Sequence, residues 1–127
     1  MRSRSYGSVK VTYFDAEAVW AALRDAAQSL AHEHPEVRRI AVFGSLVRGE
    51  AVPGSDVDLL VVSSDTNLPF IERAARYAPA GLPVGADVFV YTAEEIEAML
   101  AEGNGFIRRA LDEAVTLFQR PDQRPAA

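Results

Sequence analysis

Val57-Asp58-Leu59-Leu60-Val61-Val62 is apolar at every position but Asp58. Successive side chains of a strand point to opposite faces. A strand of this composition therefore needs cover on both faces, as in a sheet clothed by helices. Other strands are read from β-branched or apolar runs at Val9–Tyr13, Arg39–Phe43, Ala86–Tyr91 and Ala114–Phe118. Helical signals alternate with them. Asp15 is placed as an N-cap, with Phe14 and Val19 as a hydrophobic staple. Val19, Leu23, Ala26 and Leu30 follow at helical spacing, and Pro35 stops the segment. Pro69 opens a short helix to Tyr77. Thr92 and Glu95 form a capping-box pattern ahead of Ile96, Met99 and Leu100, with Gly103 as the stop. A further helix covers Phe106 to Leu111. The order βα-βα-βα-α-β predicts an α/β (α+β) chain with helices packed on a single sheet.

At 127 residues the chain has the size of one domain, and no linker or repeat divides it. One domain over 1–127 is expected, with a core from about 9 to 118 and a frayed tail at 119–127. The absence of cysteine removes disulfides, thiolate metal sites and cysteine nucleophiles. The longest apolar run, Ala18 to Leu23, is far too short to span a membrane. The first residues carry charge without an apolar segment behind it, so a cytoplasmic location is expected. Eighteen acidic against thirteen basic residues give −5, the wrong sign for binding bulk nucleic acid.

The chemistry is concentrated between Val42 and Val62. Asp56 and Asp58 are two apart on a strand, so both carboxylates project from one face. Such a pair at an apolar strand is costly unless a cation joins it. Oxygen ligands without Cys or well-placed His favour a hard ion such as Mg²⁺. Upstream, Phe43-Gly44-Ser45 is a strand running into a tight turn. Gly44 lets backbone approach a ligand, and the turn after it presents N–H groups to an anion. A divalent-metal site and an anion site on one loop are what metal-dependent phosphoryl or nucleotidyl transfer requires.

Gly44-Ser45, ten residues, then Asp56-x-Asp58 is the pattern GS-x10-DxD. Arg48, Gly49 and Ser55 extend it to GSxxRGxxxxxSDxDLxV. With these residues the chain resembles the minimal nucleotidyltransferases of the superfamily that includes DNA polymerase beta. The resemblance runs from about Val9 to Phe118. It implies the palm fold, a mixed sheet of about four strands with helices packed on it. It also implies that Asp56 and Asp58 bind two Mg²⁺ ions and that Ser45 meets the β- and γ-phosphates of ATP, helped by backbone N–H groups near Gly44. The family uses a third carboxylate on a later strand. Asp87, which begins the next apolar strand, is the candidate, and Asp65, in a Ser/Asp/Asn turn, is the competitor. Arg48 has two readings, phosphate contact or a bridge that holds the loop, the second slightly favoured.

Several residues have a plain structural reading. His32 and His34 diverge at a helix end, Arg108 and Arg109 suit a solvated helix face, and Trp20 belongs to the core stripe.

The resemblance further implies transfer of AMP from ATP to a hydroxyl of a partner protein, the partner being a HEPN-family toxin in a hetero-oligomeric toxin–antitoxin pair. Two other readings stay open: a small-molecule nucleotidyltransferase whose acceptor site is completed by oligomerisation, and a non-catalytic module that neutralises a partner by contact.

Overall fold

The structure, a computed structural model, describes residues 2–6, 9–64 and 66–121, with side chains from residue 14 onward. In chain order the elements are β1 (Arg2–Tyr6), β2 (Val9–Tyr13), α1 (Ala16–Glu33), β3 (Val37–Phe43), α2 (Ser45–Arg48) and β4 (Val57–Ser63). They continue with α3 (Phe70–Arg76), β5 (Ala86–Thr92), α4 (Ala93–Ala101), α5 (Gly105–Glu113) and β6 (Val115–Gln119). β1 and β2 form a separate antiparallel hairpin. The sequence announces β2 but not β1, because Arg2-Ser3-Arg4-Ser5-Tyr6 has no apolar alternation to mark a strand.

The main sheet runs β5-β4-β3-β6. β3 is antiparallel to both its neighbours, and β4 and β5 are parallel, so the sheet is mixed. A parallel pair needs a crossover, which the segment containing α3 supplies.

Both faces of β4 are covered, as its composition requires. Val57, Leu59 and Val61 pack on the α1 side, with Val19, Leu23 and Leu30 among their neighbours. Leu60 and Val62 pack on the other side with Ile107 and Ala110 of α5. By strand alternation Asp58 shares the α5 side with Leu60 and Val62. Phe43, Phe89 and Phe106 meet on that same side, with ring centroids 5.1–5.8 Å apart.

The helix ends follow local sequence. The Asp15 carboxylate accepts the Ala18 N–H, and Thr92 and Glu95 close a reciprocal capping box. Asn104 caps α5 by accepting the Ile107 N–H. Glu95 has a second duty, because Arg73, itself nearly buried, donates to both its carboxylate oxygens and to the Val90 carbonyl. The hydrogen bond from Arg73 holds the Glu95 carboxyl below its ordinary value. His34 caps α1 and lies edge-on against Tyr77 at 4.8 Å, while His32 is exposed. Trp20 is half-buried against the α1 side of the core, and Arg108 and Arg109 are exposed on α5.

The chain end departs from the expectation of a tail beginning at residue 119. Gln119 still pairs with Arg39, and the Arg120 side chain donates to the Val37 and Ala31 carbonyls at 2.8 and 2.9 Å. Arg38 in turn donates to the Pro121 carbonyl. These carbonyls need donors, and a guanidinium can serve two at once. Residues 122–127 lie outside the described residues. Among the described residues no helix is long and apolar enough to cross a membrane.

Candidate active site

Strand register gathers the acids that were read separately in the sequence. Asp58, the second residue of β4, is paired with Phe43 of β3 on one side and with Asp87 of β5 on the other. Asp56 immediately precedes β4, and the Val57 N–H donates to the Gly85 carbonyl at 2.9 Å, carrying the β4–β5 pairing back to that point. All three acids therefore stand at one end of the sheet, beside the turn that leaves β3.

Two glycines make room for them. Gly44 has φ +86°, a conformation that L side chains rarely adopt, and a Cβ there would collide with Asp58 Oδ2. A Cβ on Gly85 would collide with Asp56 Oδ1. Glycine thus opens the space beside both members of the Asp pair.

Burial pushes the Asp58 carboxyl above its ordinary value, and the charge of Asp87 adds to the rise. Asp56 and Glu113 push the same way, while Arg48 pulls back. The acids are near enough to repel one another but are not drawn into one shell. Among the described residues no set of three His, Asp or Glu side chains is arranged to hold an ion. The donors are all carboxylate oxygens, Asp58 half-buried and Asp56 and Asp87 exposed beside it, and such oxygens suit a hard divalent ion such as Mg²⁺. Asp65, the competing third acid, lies outside the described residues.

Ser45 is the first residue of the one-turn helix α2 and is half-buried. The Gly44 N–H, one of those expected to face an anion, is already engaged and donates to Glu113 Oε1 at 2.7 Å. Arg48 bridges. Its Nε donates to Glu50 at 2.9 Å, and its Nη1 donates to both oxygens of Glu113 at 3.0 and 3.1 Å. Of the two readings of Arg48, these bonds are those of a loop bridge.

Glu113 is the site residue that sequence reading missed, since it sits 69 positions from Gly44. A signal was available. An acid at the last position of a helix opposes the helix dipole and needs a cation or donor to hold it.

Beside β5 a cavity of about 490 Å³ is lined by Ala74, Leu82, Val84, Gly85, Asp87 and Phe89 among others. Among the described residues that line it, Asp87 brings the one charged side chain, and backbone polar groups share the surface with the apolar side chains. The arrangement offers a carboxylate cluster for cations, a hydroxyl-bearing turn beside it and an open space at the third acid.

Comparison with known proteins agrees with the fold. A family model described as a nucleotidyltransferase domain matches residues 23–117. A Sulfolobus solfataricus protein assigned as a nucleotidyltransferase aligns with a TM-score of 0.59 and 19% identity, covering 83% of this chain and 84% of its own. Two toxin–antitoxin structures align more loosely. One, solved with AMP-PNP, has a TM-score of 0.47 at 20% identity, and the other, a mutant MntA–HpeT pair, 0.44 at 17%. Each covers 84% of this chain and 75% of its own. No curated protein matches the chain. From residue 23 to residue 117, across the Gly-Ser turn and all three acids, the chain belongs to the nucleotidyltransferase domain family.

Proposed function

We propose that this chain transfers AMP from ATP to a hydroxyl group of a partner protein, with Asp56, Asp58 and Asp87 as the acids of the reaction. The observation that carries the reading is the register of Asp58 against Asp87, with the charge of Asp56 also felt at Asp58. Divalent ions bound there supply the positive charge that lets three carboxylates and a triphosphate share one site. Asp56 and Asp58 would hold both ions, and Asp87 would complete the position nearer the acceptor.

Ser45 meets the β- and γ-phosphates with its hydroxyl. The acceptor oxygen forms a bond to the α-phosphorus as the bond from that phosphorus to the bridging oxygen breaks. Pyrophosphate leaves with the electron pair, and the hydroxyl proton passes to Asp87. The cavity beside Asp87 gives the acceptor an approach from the β5 edge. Holding the two reactants in line is worth far more than any single contact.

The sequence resemblance to minimal nucleotidyltransferases points to a HEPN-family toxin as the partner. The test is co-expression with the product of the neighbouring gene, followed by intact mass measurement of that product. The reading expects an added mass of one AMP with the wild-type chain and none with Asp58→Asn. An unmodified partner, together with pyrophosphate release when small hydroxyl compounds are supplied, would favour a small-molecule acceptor.

A further inference from the structure

α2 is a single turn of four residues, too short to hold itself together. Both its ends lean on one distant carboxylate. Glu113 accepts the Gly44 N–H before the turn and the Arg48 guanidinium at its close. Buried Leu46 and the bonds from the Gly49 and Glu50 N–H groups to the Leu46 and Ser45 carbonyls hold the turn's middle and close, but none of them engages the Gly44 N–H. Glu113 itself rides on a fixed element, since α5 buries Ile107 and Ala110 against the sheet. Its side chain is 19% exposed, against 43% for Arg48, so the carboxylate is the sheltered partner. Hydrogen bonds with an ionised member are shorter and stronger than neutral ones.

We propose that Glu113 is a positioning residue: by gripping the Gly44 N–H and Arg48 together, it sets the turn from which Ser45 meets the triphosphate. This rests on the nucleotidyltransferase reading of that turn. Arg48 then acts through Glu113 as a strut, and the phosphate contact falls to Ser45. The role also accounts for an acid at a helix end that disfavours one.

The experiment compares wild type, Glu113→Ala and Glu113→Gln by calorimetric titration with Mg·ATP. The Gly44 amide resonance is followed by NMR in the same three proteins. Alanine removes both ties, and affinity should fall about tenfold, the loss expected for a charge-assisted hydrogen bond. Glutamine still accepts the Gly44 N–H and should stay within about threefold of wild type. The Gly44 amide proton should move upfield with alanine and remain near its wild-type position with glutamine. A purely structural surface pair would not produce that rescue.

Unchanged Mg·ATP affinity in Glu113→Ala, with the Gly44 resonance moved, would overturn the proposal. Tighter binding would also overturn it, because Glu113 would then be competing with phosphate for the same N–H. If the alanine variant does not fold, Glu113→Gln decides alone. A loss as large as that of Ser45→Ala, with Gly44 unmoved, would refute the positioning role. A wild-type chain without Mg·ATP affinity overturns the nucleotidyltransferase reading instead, and the Gly44 resonance then still reports whether Glu113 grips the turn.

Discussion

Gly44 leaves the place of its missing side chain to the Asp58 carboxylate, so a turn residue and a strand residue occupy one volume. Adding a single methyl group should therefore be severe. Gly44→Ala meets both a positive φ and the Asp58 oxygen, and about 1–3 kcal/mol of stability should be lost. Gly85→Ala provides the contrast. There the obstacle is the end of the Asp56 side chain, which can swing away, so melting should change little while Mg·ATP binding weakens. Melting curves and titrations of the two variants check this, and an equal loss of stability in both would count against it.

The carboxylate pair, the Gly-Ser turn and most strands were legible because they are local. Asp15 and the Thr92–Glu95 box announce their helices within four residues, and β4 announces its two-sided burial in its own composition. What stayed hidden depends on chain pairing. The family resemblance singles out Asp87, but its pairing with Asp58 is decided by strand register, which the sequence does not display. Glu113 reaches Gly44 only after α5 crosses the sheet. β1 is too polar to be seen as a strand, and Arg120 extends the ordered chain through side-chain bonds to carbonyls that become neighbours only on folding.

Asp58→Asn should abolish transfer and leave the protein slightly more stable at neutral pH. Burial and Asp87 raise the Asp58 carboxyl, so the folded protein keeps a proton that the unfolded chain has lost. Stability contributed by this group therefore falls as pH rises from the ordinary carboxylate range through the raised value. Below that window the variant and wild type should melt alike. Above it the variant should melt about 2–4 °C higher. Thermal melts across pH, paired with a labelled-ATP assay, read both parts. A variant that melts no higher than wild type at neutral pH would remove the electrostatic argument.

Ser45→Ala should weaken ATP binding less than any change at Asp56 or Asp58. One hydrogen bond to a charged phosphate contributes about 1.5–3 kcal/mol, and backbone donors of the turn survive the change. Comparing dissociation constants for Mg·ATP is sufficient. Equal constants in the two proteins would move the phosphate site off this turn.

Asp87→Asn should separate binding from chemistry. If Asp87 serves the acceptor side, Mg·ATP should bind nearly as in wild type while transfer fails, since the attacking oxygen keeps its proton. Asp56→Asn should damage both. Near-normal transfer by Asp87→Asn would point to Asp65 as the third acid, and a binding loss equal to that of Asp56→Asn would mean the acids do not divide the work in this way.

Metal dependence of ATP binding bears most directly on the whole account. Asp58 already feels the charges of Asp87 and Asp56, and such a cluster cannot face a triphosphate without cations between them. Calorimetric titration of the wild-type chain with ATP, in Mg²⁺ and again in EDTA, should give binding in the first and none in the second, and Asp56→Asn in Mg²⁺ should resemble wild type in EDTA. Equal affinity with and without the metal would contradict the assignment of Asp56, Asp58 and Asp87 as its ligands.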